Sequence, residues 1–211
     1  MSAEDVAPTL NRLLVHAGLA PLDRLTGNRF AQYLALTMRW NGRLNLSSIR
    51  DEGGILSRHF VESIACARAL PAGISTLLDF GSGAGLPGIP IALCRPEITV
   101  TLAESRGKKA AFLQEAVRTL GIAVAVHAGR AELLECVFDC VTLRAVDRMS
   151  EAVKAAARLV APAGWIALMT TTVDLAHLHA AAGVEFCWPG VVPLPGSEDR
   201  LLALGARNAG N

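Results

Sequence analysis

The chain has 211 residues, 52% hydrophobic and 18% charged, with a formal net charge of +1. That length and apolar share suit one domain with a sizeable core, and exclude two large domains or a disordered polymer. Near-neutral charge excludes gripping nucleic acid by bulk electrostatics alone, although 17 of the 20 basic residues are arginines, whose planar fork suits phosphate and guanine.

The opening Met-Ser-Ala-Glu-Asp is acidic and lacks the basic and apolar regions of a secretory leader. The longest uncharged stretches, Leu159 to Val173 among them, are too short and too interrupted to cross a bilayer. A cytoplasmic protein without membrane association is expected. Cys66, Cys94, Cys136, Cys140 and Cys187 show no C-x-x-C pairing and are expected to be buried, reduced thiols. No metal site and no obligate protein partner are expected.

Apolar residues in the first seventy positions recur at helical spacing: Leu10, Leu13, Leu14 and Ala17; Phe30, Tyr33 and Leu34; Leu56, Phe60, Ile64 and Ala67. Pro21 and Asn41-Gly42 are expected to punctuate these helices. From Ser75 short apolar runs alternate with amphipathic ones. Strands are predicted at Thr76–Phe80, Ile98–Ala103, Val124–Ala128, Phe138–Leu143 and Trp165–Thr170, and helices at Gly88–Leu93, Lys108–Leu120 and Glu151–Val160. Runs at Gly183–Cys187 and Arg200–Leu204 finish the pattern. The expected architecture is α/β, a doubly wound, mostly parallel sheet, with residues 1–72 as a helical extension on a core spanning 73–211.

Leu77 to Gly85 runs from an apolar strand into the turn Gly81-Ser82-Gly83-Ala84-Gly85, where missing Cβ atoms let backbone approach a ligand. Gly83-x-Gly85-x-x-Gly88 also satisfies the dinucleotide spacing, with Glu104 about twenty residues on. Asp79 separates the readings: a carboxylate here repels a pyrophosphate but suits the ammonium and sulfonium of S-adenosylmethionine. The alternative is that Asp79 only ties down the turn through backbone amides. Glu104 ends the second strand where a ribose would present two hydroxyls. Gly129-Arg130-Ala131-Glu132 ends the third strand and Arg144 the fourth, both at the edge where such sheets bind ligands. Arg106, Lys108 and Lys109 crowd a helix start, where the dipole disfavours cations and an anion such as RNA phosphate would compensate. No Pro-Cys nucleophile or Pro-Pro-aromatic sequence follows the fourth strand.

The ordered set Trp40-Asn41, Asn45 to Asp51, Arg58 to Ser63, Leu78 to Pro90, Glu104 to Lys109 and Phe138 to Ala145 resembles the RsmG (GidB, glucose-inhibited division protein B) family of bacterial 16S rRNA guanine-N7 methyltransferases. The resemblance implies a class I, Rossmann-like methyltransferase fold. It implies a methyl donor held by Gly81, Leu86, Ala131, Glu132 and Arg144, joining Asp79, Gly83 and Glu104. It also implies a guanine of the small-subunit decoding region as acceptor, in 16S rRNA or the small ribosomal subunit, with no general base because N7 carries a free lone pair. Arg58 and His59, with Arg106, Lys108 and Lys109, are the expected RNA contacts. Two competing readings remain: a NAD-dependent oxidoreductase, and a non-catalytic ribosome-assembly binder. The latter draws on Met169-Thr170, where relatives commonly carry Lys-Gly after the fifth strand, a change expected to remove a cation from the substrate face. Glu104 replaces the family's usual aspartate and keeps the carboxylate.

Overall fold

The computed structural model describes residues 3–209; the Met1-Ser2 start and residues 210–211 of the expected core segment lie outside them. Helices α1 (Ala3–His16) and α2 (Arg24–Leu44) open the chain, followed by α3 (Glu52–Gly54), a π-helical turn (Ile55–Phe60) and α4 (Val61–Ala69). The alternating part comprises β1 (Thr76–Phe80), α5 (Gly88–Cys94), β2 (Thr99–Ala103), α6 (Gly107–Leu120), β3 (Val124–His127) and a 3-10 turn (Ala131–Leu133). It continues through β4 (Phe138–Arg144), α7 (Met149–Ala157), β5 (Val160–Thr171), α8 (Leu175–Ala182), β6 (Phe186–Pro193) and β7 (Arg200–Arg207). One seven-stranded sheet results, ordered β3-β2-β1-β4-β5-β7-β6. The first five strands pair in parallel, and β7 inserts antiparallel between β5 and β6.

Successive residues of a strand face opposite sides of a sheet, so each strand feeds two cores. Leu77 of β1 packs with Leu102, α5, α6 and the amino-terminal helices, where Leu10, Phe30, Tyr33, Phe60 and Ile64 are fully buried. Its neighbour Leu78 packs with Val141, Leu143, Ile166 and Leu168 under α7 and α8. The amino-terminal helices thus share one apolar cluster with one face of the sheet.

Asp23 starts α2 by accepting the amides of Leu25 and Thr26 at 2.8 and 3.0 Å, a side-chain N-cap. The helix then runs through Asn41-Gly42, where the sequence suggests a break. Asn41 is buried, and its amide group donates to the Ile49 carbonyl at 2.8 Å and accepts from Ser47 N at 2.9 Å. It therefore fastens the following loop instead of ending the helix, which stops at Asn45 in left-handed conformation.

Three further expectations are corrected. Helix α7 ends at Ala157 and β5 already begins at Val160, which pairs with Phe138; the register then shifts within β5, so that Trp165 pairs with Cys140. The strand expected at Gly183–Cys187 lies at Phe186–Pro193; on this edge strand only Phe186 is buried, so no alternation marks it. Cys66 and Cys140 are buried as expected, but Cys136 lies in the exposed loop after the 3-10 turn and Cys187 on the exposed edge strand. Among the described residues no helix is long and apolar enough to cross a membrane.

Candidate cofactor and substrate site

At the carboxyl ends of β1, β2, β3 and β4 lies a cavity of about 760 Å³, within the range of small-molecule and cofactor sites. Its floor is the glycine turn. Gly81, Gly83 and Gly85 all have positive φ, +71°, +56° and +83°, which side chains with a Cβ rarely adopt. Ser82 fixes the turn from within, its amide donating to Ala103 O at 2.9 Å and its hydroxyl to Asp79 O at 2.8 Å. Tyr33 of α2, stacked on Phe60 at 5.1 Å, donates its hydroxyl to the Ala84 carbonyl. Gly88 serves packing: a Cβ there would meet Leu102 Cδ2 at 2.3 Å and Asp79 Oδ2 at 2.7 Å.

Glu104, at the end of β2, accepts Gly83 N at 3.0 Å through Oε2 and Arg106 N at 2.7 Å through Oε1. It lines the cavity with further lone pairs to offer, as a ribose contact requires. Ala131 and Glu132 line the wall beyond β3, and Arg144 the wall beyond β4. The cavity therefore brings together Gly81, Gly83, Leu86, Glu104, Ala131, Glu132 and Arg144.

Asp79 is not among them. It is 1% exposed, and its carboxylate turns beneath the turn to accept Gly88 N at 3.2 Å and the Thr142 hydroxyl at 3.0 Å. Its contacts are those of the tie-down alternative, and its side chain does not line the cavity where a direct cofactor contact was expected. Burial pushes its carboxyl up to about 6, against hydrogen bonds from Thr142 and the Gly88 amide that favour the anion.

Of the expected RNA contacts, Arg106, Lys109 and His59 line the cavity; Arg58 and Lys108 are exposed outside it. Arg106 ion-pairs with Asp147 at 3.0 Å, so the chain supplies one anion near this helix start itself. His59 is not an exposed cation. Burial first, then Arg144, Arg58 and Arg200, depresses it to about 3. Met169 and Thr170 are buried within β5 and do not line the cavity.

Spacing gave no sign of the far wall. Leu46, Ser47 and Ser48, from the loop that Asn41 fastens, close the cavity beside His59. Behind them Arg144 donates to Ser63 Oγ at 3.1 Å and pairs with Glu62 at 3.0 Å, and Arg200 of β7 grips the same carboxylate at 2.6 Å. Glu62 is four residues after Arg58, which suggests a pairing along the helix; the observed partners come from β4 and β7.

This strand order, with a glycine turn after β1 and an acid after β2, defines a class I, Rossmann-like methyltransferase. A methyltransferase from Pyrococcus furiosus superposes with a TM-score of 0.61 at 13% identity, over 86% of this chain and 98% of that one, a likeness of fold. The family model described as rRNA small subunit methyltransferase G (GidB) matches residues 26–186. Proteins named ribosomal RNA small subunit methyltransferase G are similar over most of their length. That of Stenotrophomonas maltophilia (strain K279a) is 38% identical over 205 residues, 94% of each chain. That of Xanthomonas euvesicatoria pv. vesicatoria (strain 85-10) is 39% identical over 208 residues, 96% of each. The chain belongs to the rRNA small subunit methyltransferase G (GidB) family.

Proposed function

We propose that this protein transfers the methyl group of S-adenosylmethionine to N7 of a guanine in the decoding region of 16S rRNA, acting on the RNA or the small ribosomal subunit. The observation that carries the reading is one continuous cavity joining the glycine turn and Glu104 to the wall of Ser47, His59 and Arg144. Family membership sets aside the oxidoreductase reading. The same membership favours an active methyltransferase over a non-catalytic binder.

The residues fit the cofactor. Gly81, Gly83 and Leu86 offer backbone and an apolar edge beneath it, Glu104 two acceptors for its ribose, and Ala131 and Glu132 a wall for its adenine. Asp79 acts from below by holding the turn. When bound, S-adenosylmethionine supplies an electrophilic methyl group. N7 attacks with a lone pair in the purine plane and releases no proton, so orientation is the main task of the protein. Positive charge passes to the purine as the methyl arrives, and a neutral His59 adds no like charge beside it. Arg106 and Lys109 at the rim, with Arg58 and Lys108 outside it, are placed to meet phosphates. Of the expected division at residue 72, the described residues 3–72 are the helical extension that completes the wall of the core, and the location is cytoplasmic.

The test is transfer of labelled methyl to small-subunit RNA and to intact subunits, followed by borohydride reduction and aniline cleavage. Strand scission at one guanine is the expected result; no incorporation into either substrate would refute the proposal.

A further inference from the structure

We propose that Ser47 is a specificity-determining residue whose hydroxyl donates to O6 of the acceptor guanine. The inference rests on the guanine-N7 reading above. Its basis is a count of protons and lone pairs around His59. Arg144 Nη2 donates to the Arg58 carbonyl and the Glu62 carboxylate, each at 3.0 Å, and also lies 3.0 Å from His59 Nδ1. A guanidinium only donates and would repel a ring N–H at this distance, so we assign the lone pair to Nδ1. A neutral imidazole with a bare Nδ1 carries its proton on Nε2, and Nε2 stands 2.6 Å from Ser47 Oγ. In that tautomer His59 is the donor and Ser47 the acceptor.

Ser47 Oγ accepts a second hydrogen bond, from Ile49 N at 3.0 Å. A hydroxyl has two lone pairs and one proton. Both lone pairs are taken, the proton is left over, and Ser47 lines the cavity. The cavity spans the ends of β3, β2, β1 and β4 in that order, with Ala131, Glu104, Gly81 and Arg144 as successive wall residues. A cofactor whose adenine lies by Ala131 and ribose by Glu104 leaves the β4 side, where Ser47 and His59 stand, for the acceptor base. Guanine presents N7 and O6 side by side on one edge, both acceptors, whereas adenine places an amino donor next to N7. A fixed hydroxyl donor beside the N7 trajectory thus favours guanine and turns away adenine. Arg144 acts through His59 by holding this tautomer.

The experiment uses small subunits reconstituted with guanine or 2-aminopurine at the target position; 2-aminopurine keeps N7 and the 2-amino group but lacks O6. Wild-type protein is expected to favour guanine by about tenfold or more in kcat/KM. Ser47→Ala should lose most of that preference while S-adenosylhomocysteine affinity, measured by calorimetry, stays within twofold. Ser47→Thr, which keeps a hydroxyl, should restore it. Should Ser47→Ala fail to fold, the near-isosteric Ser47→Cys, whose thiol is a weak donor, takes its place. An unchanged preference in the variant overturns the inference. So does a loss of S-adenosylhomocysteine affinity at unchanged melting temperature, which would assign the hydroxyl to the cofactor. Wild-type protein inactive on both particles would instead overturn the guanine-N7 reading, and this inference with it.

Discussion

Arg144, at the end of β4, ion-pairs at 3.0 Å with Glu62 on α4, whose side chain is 1% exposed. Arg200 of β7 closes on the other oxygen of the same carboxylate at 2.6 Å. Two cations from different strands are thus neutralised by one acid from the helical segment. Removing one member of such a buried cluster leaves charge without compensation, so Glu62→Ala is expected to lower unfolding free energy by about 3 to 5 kcal/mol. Urea denaturation measures this. Glu62→Gln should cost less, and an Ala variant as stable as wild type would disprove the clamp.

Asp79 bears on stability with the opposite sign. Its folded pKa of about 6 lies above the ordinary 3.8. The fold therefore favours the protonated acid: the contribution is present below 3.8 and is lost as pH rises through 6. At neutral pH Asp79→Asn should melt higher than wild type, because Thr142 can accept from the new amide while the remaining oxygen still serves Gly88. The gain should vanish on titration below pH 4. Thermal melts from pH 4 to 8 follow this, and a destabilised variant at pH 8 would contradict it.

Glu104 offers a direct cofactor test. In Glu104→Gln an amide donor must replace one oxygen beside the amides of Gly83 and Arg106 or beside the ribose. The expected result is a loss of S-adenosylhomocysteine affinity of about tenfold or more, since bonds to charged groups are each worth about 1.5–3 kcal/mol. Calorimetry reads it. Unchanged affinity would remove Glu104 from the proposed ribose contact.

His59 gives a pH signature. Held near 3 in the fold, it stays neutral while the unfolded chain's histidine binds a proton below its ordinary 6.5. Its contribution is present above 6.5 and drains away as pH falls towards 3. Between pH 6 and 4 the difference in unfolding free energy between wild type and His59→Gln should change by about 1.4 kcal/mol per pH unit, one proton's worth. Parallel curves would show that the imidazole titrates normally.

Much of the fold was legible in the sequence, because buried parallel strands are apolar runs with clear ends: β1 lies at the predicted Thr76–Phe80. Edge strand β6 was misplaced because seven of its eight residues are not buried and two are prolines. The half of the site built on local chain, Gly81 to Leu86 with Glu104, was equally legible. The half built on distant contacts was not. Asn41 resembles a helix breaker until its amide is seen bonded to Ser47 and Ile49. Arg200 resembles an ordinary strand end until β7 is seen to carry it to Glu62. The direction of the Asp79 carboxylate also depends on tertiary structure, since Gly88 and Thr142 reach it from α5 and β4.

The clamp on Glu62 has a consequence for biosynthesis. Its acid lies in the first third of the chain and its second arginine near the end, 138 residues later. A nascent chain can bury its amino-terminal helices early, but Glu62 gains its full set of partners only after β7 has been made and slid between β5 and β6. Chains cut short before residue 200 should emerge with the Arg144 wall held from one side only.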